Sequence, residues 1–314
     1  MKLKLAFITF AILITTILAG CEPLLVLNPK GPQAETTANV IWISIFTMAV
    51  IVIVVITLLI VMLVKYRASK QSDDYEPPHI EGNPIVESLI IGIPVLIVIF
   101  LSIVSVKSTY EVESVPDGYE NQEPLVIYAS SSNWKWHFSY PEQDIETVNY
   151  VFIPTNQPVE FRLYSYGPIT SFWIPQLAGQ KYAMADMVTK INIVAETPGD
   201  YMGRNANFSG EGFAENTFNA TALSQDEFDK WVEEIHATAE PITKETFETL
   251  LEPGHLGQMT FTGTHLEFAP APEGENSGHH HGSSEEEELH EQHQEHEDHS
   301  EHEDHSEHDD HSSH

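Results

Sequence analysis

Cysteine is almost absent from this chain, with Cys21 alone among 314 residues. A single thiol excludes an intrachain disulfide and any metal centre that needs two thiolates from this chain. Basic residues are scarce too: 14 Lys and Arg stand against 47 Asp and Glu, for a formal charge of −33. No basic patch follows residue 70, so nucleic acid and anionic lipid headgroups are poor partners. The charge is uneven. From Glu273 onward there is neither Lys nor Arg, and without that segment the balance is about −17.

Long apolar runs organise the first third. Lys2 and Lys4, an apolar stretch over 5–18 and small residues read as a secretory signal over 1–20, too short for a membrane span. Leu18-Ala19-Gly20-Cys21 resembles the bacterial lipobox, so Cys21 is the expected lipid anchor and first residue of the mature chain. Residues 21–39 follow as an external segment. Residues 40–64 carry no charge and, as a helix of about 37 Å, exceed the ~30 Å hydrocarbon core. A second apolar run over 85–107 is interrupted by Glu87, Gly92 and Pro94. Lys65, Arg67 and Lys70 place the intervening loop, 65–84, in the cytoplasm, which puts Cys21 and everything after Lys107 outside. Glu87 is the candidate for chemistry, because an ionisable group at the start of a membrane span is costly unless used or partnered.

From about 120 to 223 the pattern changes to short β-like runs at 125–129, 134–140, 149–153, 159–165 and 190–195. Turn-forming residues at 155–158 and 197–200 separate some of them, which predicts a β-sandwich. Ser224 and Glu227 form a capping box, and Phe228, Trp231, Val232 and Ile235 then recur at helical spacing. The expected fold is thus membrane α plus all-β: a two-helix transmembrane hairpin, an external sandwich, a helical extension over 224–270, and a tail over 271–314.

These features together resemble subunit II of the haem-copper respiratory oxidases, over about 40–223 and into the helix of Phe228 and Trp231. The aromatic run 133–140 is similar to that family's Trp-rich strand. Glu87, with Asn83 before it and Ile93-Pro94 after, resembles the start of its second helix. Residues 171–175 resemble the strand carrying the first copper-ligand histidine. The resemblance implies a cupredoxin-like domain, with Glu87 at the mouth of a proton-uptake channel.

The family's copper-binding branch uses two Cys, two His and a Met. Here Ser171 stands in the first histidine's place, and the corresponding ligand loop, 201–218, holds neither Cys nor His, leaving Met202 isolated. Cytochrome c oxidase subunit II therefore fails as a reading. The resemblance instead implies the quinol-oxidising branch, with membrane quinol, menaquinol by expectation, as donor. No cofactor is expected on this chain; haem and copper belong to a partner subunit I, alongside subunits III and IV. Trp134 and Trp136 are candidates for an electron path, though core and interface packing is the stronger reading.

The tail is almost wholly His, Glu, Asp and Ser. Glu295-His-Glu-Asp-His-Ser repeats at 301 and, with one Asp for Glu, at 307. Without a core-forming residue beyond Leu289 it is expected to be disordered. His296, His299, His302, His305, His308 and His311 offer weak sites for Zn²⁺, Cu²⁺ or Ni²⁺. The rival function is accordingly a membrane lipoprotein that binds transition metals through this tail.

Overall fold

The computed structural model describes residues 24–67 and 82–272. The signal, Cys21, most of the cytoplasmic loop and the His-rich tail lie outside them.

Two long helices come first, α1 (Pro32–Lys65) and α2 (Pro84–Glu113). Both outrun the predicted spans, 40–64 and 85–107, because apolarity marks only the part that lipid would surround. At the start of α1, Pro32 occupies the first turn, where a missing N–H costs nothing. Gln33, Ala34 and Ala38 are then buried against the rest of the chain. In α2 the polar Ser108 and Thr109 stay within the helix, their hydroxyls donating back to the Val104 and Ser105 carbonyls. Thr36 Oγ1 donates to Glu111 Oε1 at 3.0 Å, so the start of α1 meets the end of α2 and the pair is antiparallel. The apolar side chains between these ends are exposed along both helices.

The sandwich follows. One sheet has six strands in the order β11-β3-β2-β1-β5-β8 and the other five in the order β4-β10-β9-β6-β7. The first contains β1 (Leu125–Ser132), β2 (Lys135–Tyr140), β3 (Ile145–Val148), β5 (Val159–Ser165), β8 (Thr189–Ile193) and β11 (Met259–Thr262). The second contains β4 (Tyr150–Pro154), β6 (Thr170–Trp173), β7 (Gln180–Ala183), β9 (Gly199–Asn205) and β10 (Thr217–Leu223). β1/β5 and β4/β10 run parallel, and the other pairs are antiparallel.

The chain changes sheets at Asn149, whose φ of 57° is the left-handed region that Asn tolerates better than most residues. Its side chain makes the crossing a fixed joint. Oδ1 accepts from the Trp136 N–H at 3.0 Å and Nδ2 donates to the Leu256 carbonyl at 2.7 Å. Between the sheets lies an aromatic core. Phe172 stacks on Phe218 with centroids 5.1 Å apart, and Trp136 meets both edge-on.

Helices α3 (Gln225–Thr238) and α4 (Lys244–Leu251) form the extension. The capping box at Ser224 and Glu227 is present, and Phe228 and Trp231 pack on Tyr140. The extension is not only helical, however. β11 pairs with β3, and a short turn places His265 in a fully buried position. Two expected strands also start late: Trp134 lies in the β1–β2 turn and Asn149 in the crossing, leaving β2 and β4 to begin one residue later.

The helices and sandwich meet closely. Lys30 donates its N–H to the Gln176 carbonyl and accepts from the Glu196 N–H, bridging two loops of the sandwich. A Cβ on Gly31 would lie 2.1 Å from the Val194 oxygen, so only glycine lets the backbone approach this far. Lys181 and Glu113 add an exposed ion pair at 3.0 Å, worth ~0–1 kcal/mol.

Candidate functional site

The start of α2 is organised by Asn83. Its Oδ1 accepts from the Ile85 and Val86 N–H groups at 3.0 and 3.4 Å, and Pro84 sits at the first helical position. Glu87 lies in the same turn, exposed, with its N–H bonded to the Asn83 carbonyl at 3.0 Å. Its carboxylate folds back toward Gly82 and profits from the positive end of the helix dipole. Seven residues on, Pro94 removes the amide that would bond the Ile90 carbonyl, freeing an acceptor within the span.

The loop between β9 and β10, residues 206–216, is built by amides and packed by an indole. Asn205 Oδ1 accepts from the N–H groups of Ser171 and Asn207, and Asn205 Nδ2 donates to Ser209 Oγ at 2.9 Å. Ser171 is buried, with its hydroxyl donating to Gln180 Oε1 at 3.1 Å. Trp134 covers this loop. Its Nε1 donates to the Ser209 carbonyl at 3.1 Å, and its ring lies where a Cβ on Gly212 would be, 2.4 Å away.

Much of the predicted ligand loop is therefore strand, since β9 takes its first five residues and β10 its last two. Met202 points outward from β9 and is 43% exposed, while Tyr201 and Gly203 on either side are buried. The side chains around Ser171 are amides, hydroxyls and an indole. That donor set does not fit a copper centre bridged by thiolates.

Trp134 and Trp136 do different things. Trp136 is fully buried between the sheets, whereas Trp134 is half-buried on the loop. Cys21 and the six tail histidines lie outside the described residues.

Sequence reasoning missed a buried polar cluster on the other face of the six-stranded sheet. β2 alternates Trp136, Phe138 and Tyr140 toward the core with Lys135, His137 and Ser139 on the opposite face, yet every one of its residues is buried. His265 Nδ1 lies 2.7 Å from Glu146 Oε1, and its Nε2 lies 2.7 Å from the Tyr164 hydroxyl. The imidazole thus bridges the carboxylate and the phenol through its two ring nitrogens. Ser139 donates to Glu146 Oε2 at 2.7 Å, and Phe247 stacks flat on His265, 4.2 Å away. Burial pushes the Tyr164 phenol well above its usual range. Although Ser, His and Glu meet here, the groups are wholly buried, so the cluster serves packing and not turnover.

Lys135 Nζ donates to the carbonyls of Glu252, Gly254 and Asn133, and burial pulls its ammonium below the usual range despite the nearby Glu252. His137 bonds Ser132 Oγ at 2.9 Å through Nε2, while its Nδ1 has no partner among the described residues. Local sequence carried no sign of this cluster, because Glu146 and His265 stand 119 positions apart.

Two apolar helices ahead of a cupredoxin-like sandwich define a membrane protein of the oxidase subunit II class. Residues 28–108 match the transmembrane domain of cytochrome c oxidase subunit II. The chain is 44% identical over 273 residues to quinol oxidase subunit 2 of Bacillus cereus, covering 85% of this chain and 94% of that protein. It is 44% identical over 267 residues to quinol oxidase subunit 2 of Bacillus subtilis, covering 85% and 83% respectively. Among solved structures, the periplasmic domain of cytochrome oxidase subunit II from Bradyrhizobium japonicum is similar at 19% identity, covering 36% of this chain and 94% of that one, with a TM-score of 0.35. The chain belongs to the quinol oxidase subunit 2 family.

Proposed function

We propose that this chain is the second subunit of a proton-translocating quinol:oxygen oxidoreductase, docked on a subunit I that carries the haem and copper centres. One observation carries the reading: the chain aligns with 94% of a quinol oxidase subunit 2 while position 171 and residues 201–218 of its cupredoxin-like domain hold neither Cys nor His for a copper relay. Electrons from a membrane quinol, menaquinol by family analogy, then pass directly to subunit I, and dioxygen is reduced there. This subunit's own tasks are to anchor, to cap and to handle protons. Subunits III and IV complete the assembly.

Glu87 is the proton-handling residue in this proposal. Its exposed carboxylate, set in the first turn of α2, is reachable from cytoplasmic water and can take up a proton at the start of a buried path. Trp134 and Trp136 are given packing roles, one sealing a loop and one filling the core. Cys21 is the proposed lipid anchor, holding the N-terminus at the external face where the sandwich lies. The His-rich tail binds metal only incidentally.

Purifying the complex through a tag on this chain tests the assignment. Co-purified haem with quinol-dependent oxygen uptake is expected, and a haem-free, zinc-loaded isolate would overturn it. Glu87→Gln is expected to slow turnover severalfold while leaving haem content and quinol KM unchanged. Wild-type turnover in that variant would remove Glu87 from the path.

A further inference from the structure

The two membrane helices pack together along only part of their length. From the Thr36–Glu111 bond inward most side chains are exposed, but partly buried ones recur three and four positions apart. On α1 these include Ile41, Ser44, Thr47 and Ile51. On α2 they are Ile97, Leu101, Val104 and Ser108, the matching half of one seam. The seam then stops. Beyond Ile51 and Ile97 every described residue of the two helices is exposed except Gly92, and a Cβ added there would meet nothing within 4 Å. Both stopping points lie at one depth, since Ile51 is 15 residues from Thr36 and Ile97 is 14 from Glu111. About 20 Å of each helix is left without a neighbour on the cytoplasmic side.

The spacing of the seam continues through this open half. On α2 it reaches Pro94, Ile90 and Glu87, and on α1 Val55, Leu58 and Met62. Apolarity does not say what lies between them, because lipid chains cover Val and Leu as well as a helix does. The Ile90 carbonyl does say. Pro94 leaves it without its helical donor, and it lies on the seam within the apolar span. Hydrocarbon has no hydrogen to donate, so a backbone acceptor at this depth calls for a donor from protein. A quinol ring would also bring a hydroxyl, but small-molecule sites converge several polar groups. Here one acceptor stands in two and a half turns of apolar surface, which suits a packed helix that offers one polar side chain.

We infer that the cytoplasmic half of the hairpin is a cleft that receives a transmembrane helix of subunit I, with a side-chain donor on the Ile90 carbonyl. The inference rests on the subunit assignment above and deepens it. The incoming helix packs against Leu58 and Ile90 and closes over Glu87 at the cytoplasmic mouth. The carboxylate is thereby enclosed between the two chains, where a proton taken from cytoplasmic water passes to the partner and not to the lipid surface. The external half of the hairpin needs no such partner, because there α1 and α2 cover each other.

Photo-crosslinking of the complex in native membranes tests this, with benzoylphenylalanine replacing Leu58 or Ile90. Irradiation is expected to join each variant to the haem-bearing chain that co-purifies with it. If the bulky ring keeps the partner out, the Leu58 and Ile90 variants should lose co-purified haem while the same replacement at Ile60, on the opposite face of α1, retains it. Adducts of this chain with itself would put a second copy in the cleft, and an adduct with quinone would make the cleft a quinol site. Retained haem with no adduct would leave the cleft to lipid. Each of these three results overturns the inference and leaves the subunit assignment standing, as does an equal loss of haem at Ile60. Absence of haem from the unsubstituted chain would instead overturn the assignment.

Discussion

Replacing His265 by Ala is expected to destabilise the sandwich by ~4 kcal/mol. The imidazole is fully buried, as is Glu146, and they meet at 2.7 Å. Its removal strands a carboxylate that water cannot reach, at ~3–5 kcal/mol for a broken buried pair. The Tyr164 hydroxyl loses its 2.7 Å partner, and Phe247 loses a flat stacking neighbour worth ~0.5–1.5 kcal/mol. These terms overlap, since water entering the new space relieves part of each, so ~4 kcal/mol is more realistic than their sum. Urea unfolding of the full-length chain in detergent, followed by near-ultraviolet circular dichroism, should show a midpoint about 2 M lower for a slope of ~2 kcal/mol/M. The decisive control is Glu146→Leu with His265→Leu. Removing both partners leaves no orphaned charge, so the double variant should be destabilised by less than half as much as His265→Ala, by under ~2 kcal/mol. A loss below ~1 kcal/mol for His265→Ala, or additive single variants, would refute the buried-pair reasoning.

Three further outcomes follow from the same geometry. Burial, with the charges of His265 and Lys135 nearby, pushes the His137 imidazole down from 6.5 to about 3. The unfolded chain then binds a proton that the folded chain refuses, so stability present above pH 6.5 falls toward pH 3 at up to ~1.4 kcal/mol per pH unit. His137→Gln should flatten that fall in acid-unfolding curves, and parallel curves would exclude His137 as its source. Gly212→Ala places a methyl group 2.4 Å from the Trp134 ring, so tryptophan emission should shift to the red and stability drop by ~1–3 kcal/mol. Gly31→Ala drives a methyl into the Val194 oxygen and should raise amide exchange at Lys30 and Glu196 while sparing the β1–β2 ladder.

The legible parts of this fold were those whose cause is local. An uncharged run of 25 residues can only be a span or a core helix, and the capping box located the N-cap of α3 to the residue. β5 was read at its observed limits because Val159, Phe161 and Leu163 alternate with polar neighbours. β9 was not legible as a strand. Its two glycines and its charged residues argue against one, and Gly203 is there because the Phe218 ring comes within 2.6 Å of where a Cβ would sit. The burial of the outer face of the six-stranded sheet was not legible either, for a related reason. Lys135, His137 and Ser139 look solvent-facing in sequence, and only the return of residues 239–268 over them turns that face into an interior. Glu87 was legible as an anomaly, a charge at the head of an apolar run.

The extension has a structural consequence at the loop between β9 and β10. Its Gly254 N–H donates to the Asn133 carbonyl at 3.1 Å, and Lys135 Nζ reaches that same carbonyl while holding those of Glu252 and Gly254. Asn133 immediately precedes Trp134, so the turn that aims the indole is pinned from behind by the end of α4 and the residues after it. The indole in turn bonds the Ser209 carbonyl and lies flat against Gly212. Detaching the extension would expose or orphan Lys135, Glu146 and Asn149 together, which ties its docking cooperatively to the sheet. A tryptophan braces the loop, held by a segment more than a hundred residues further along the chain.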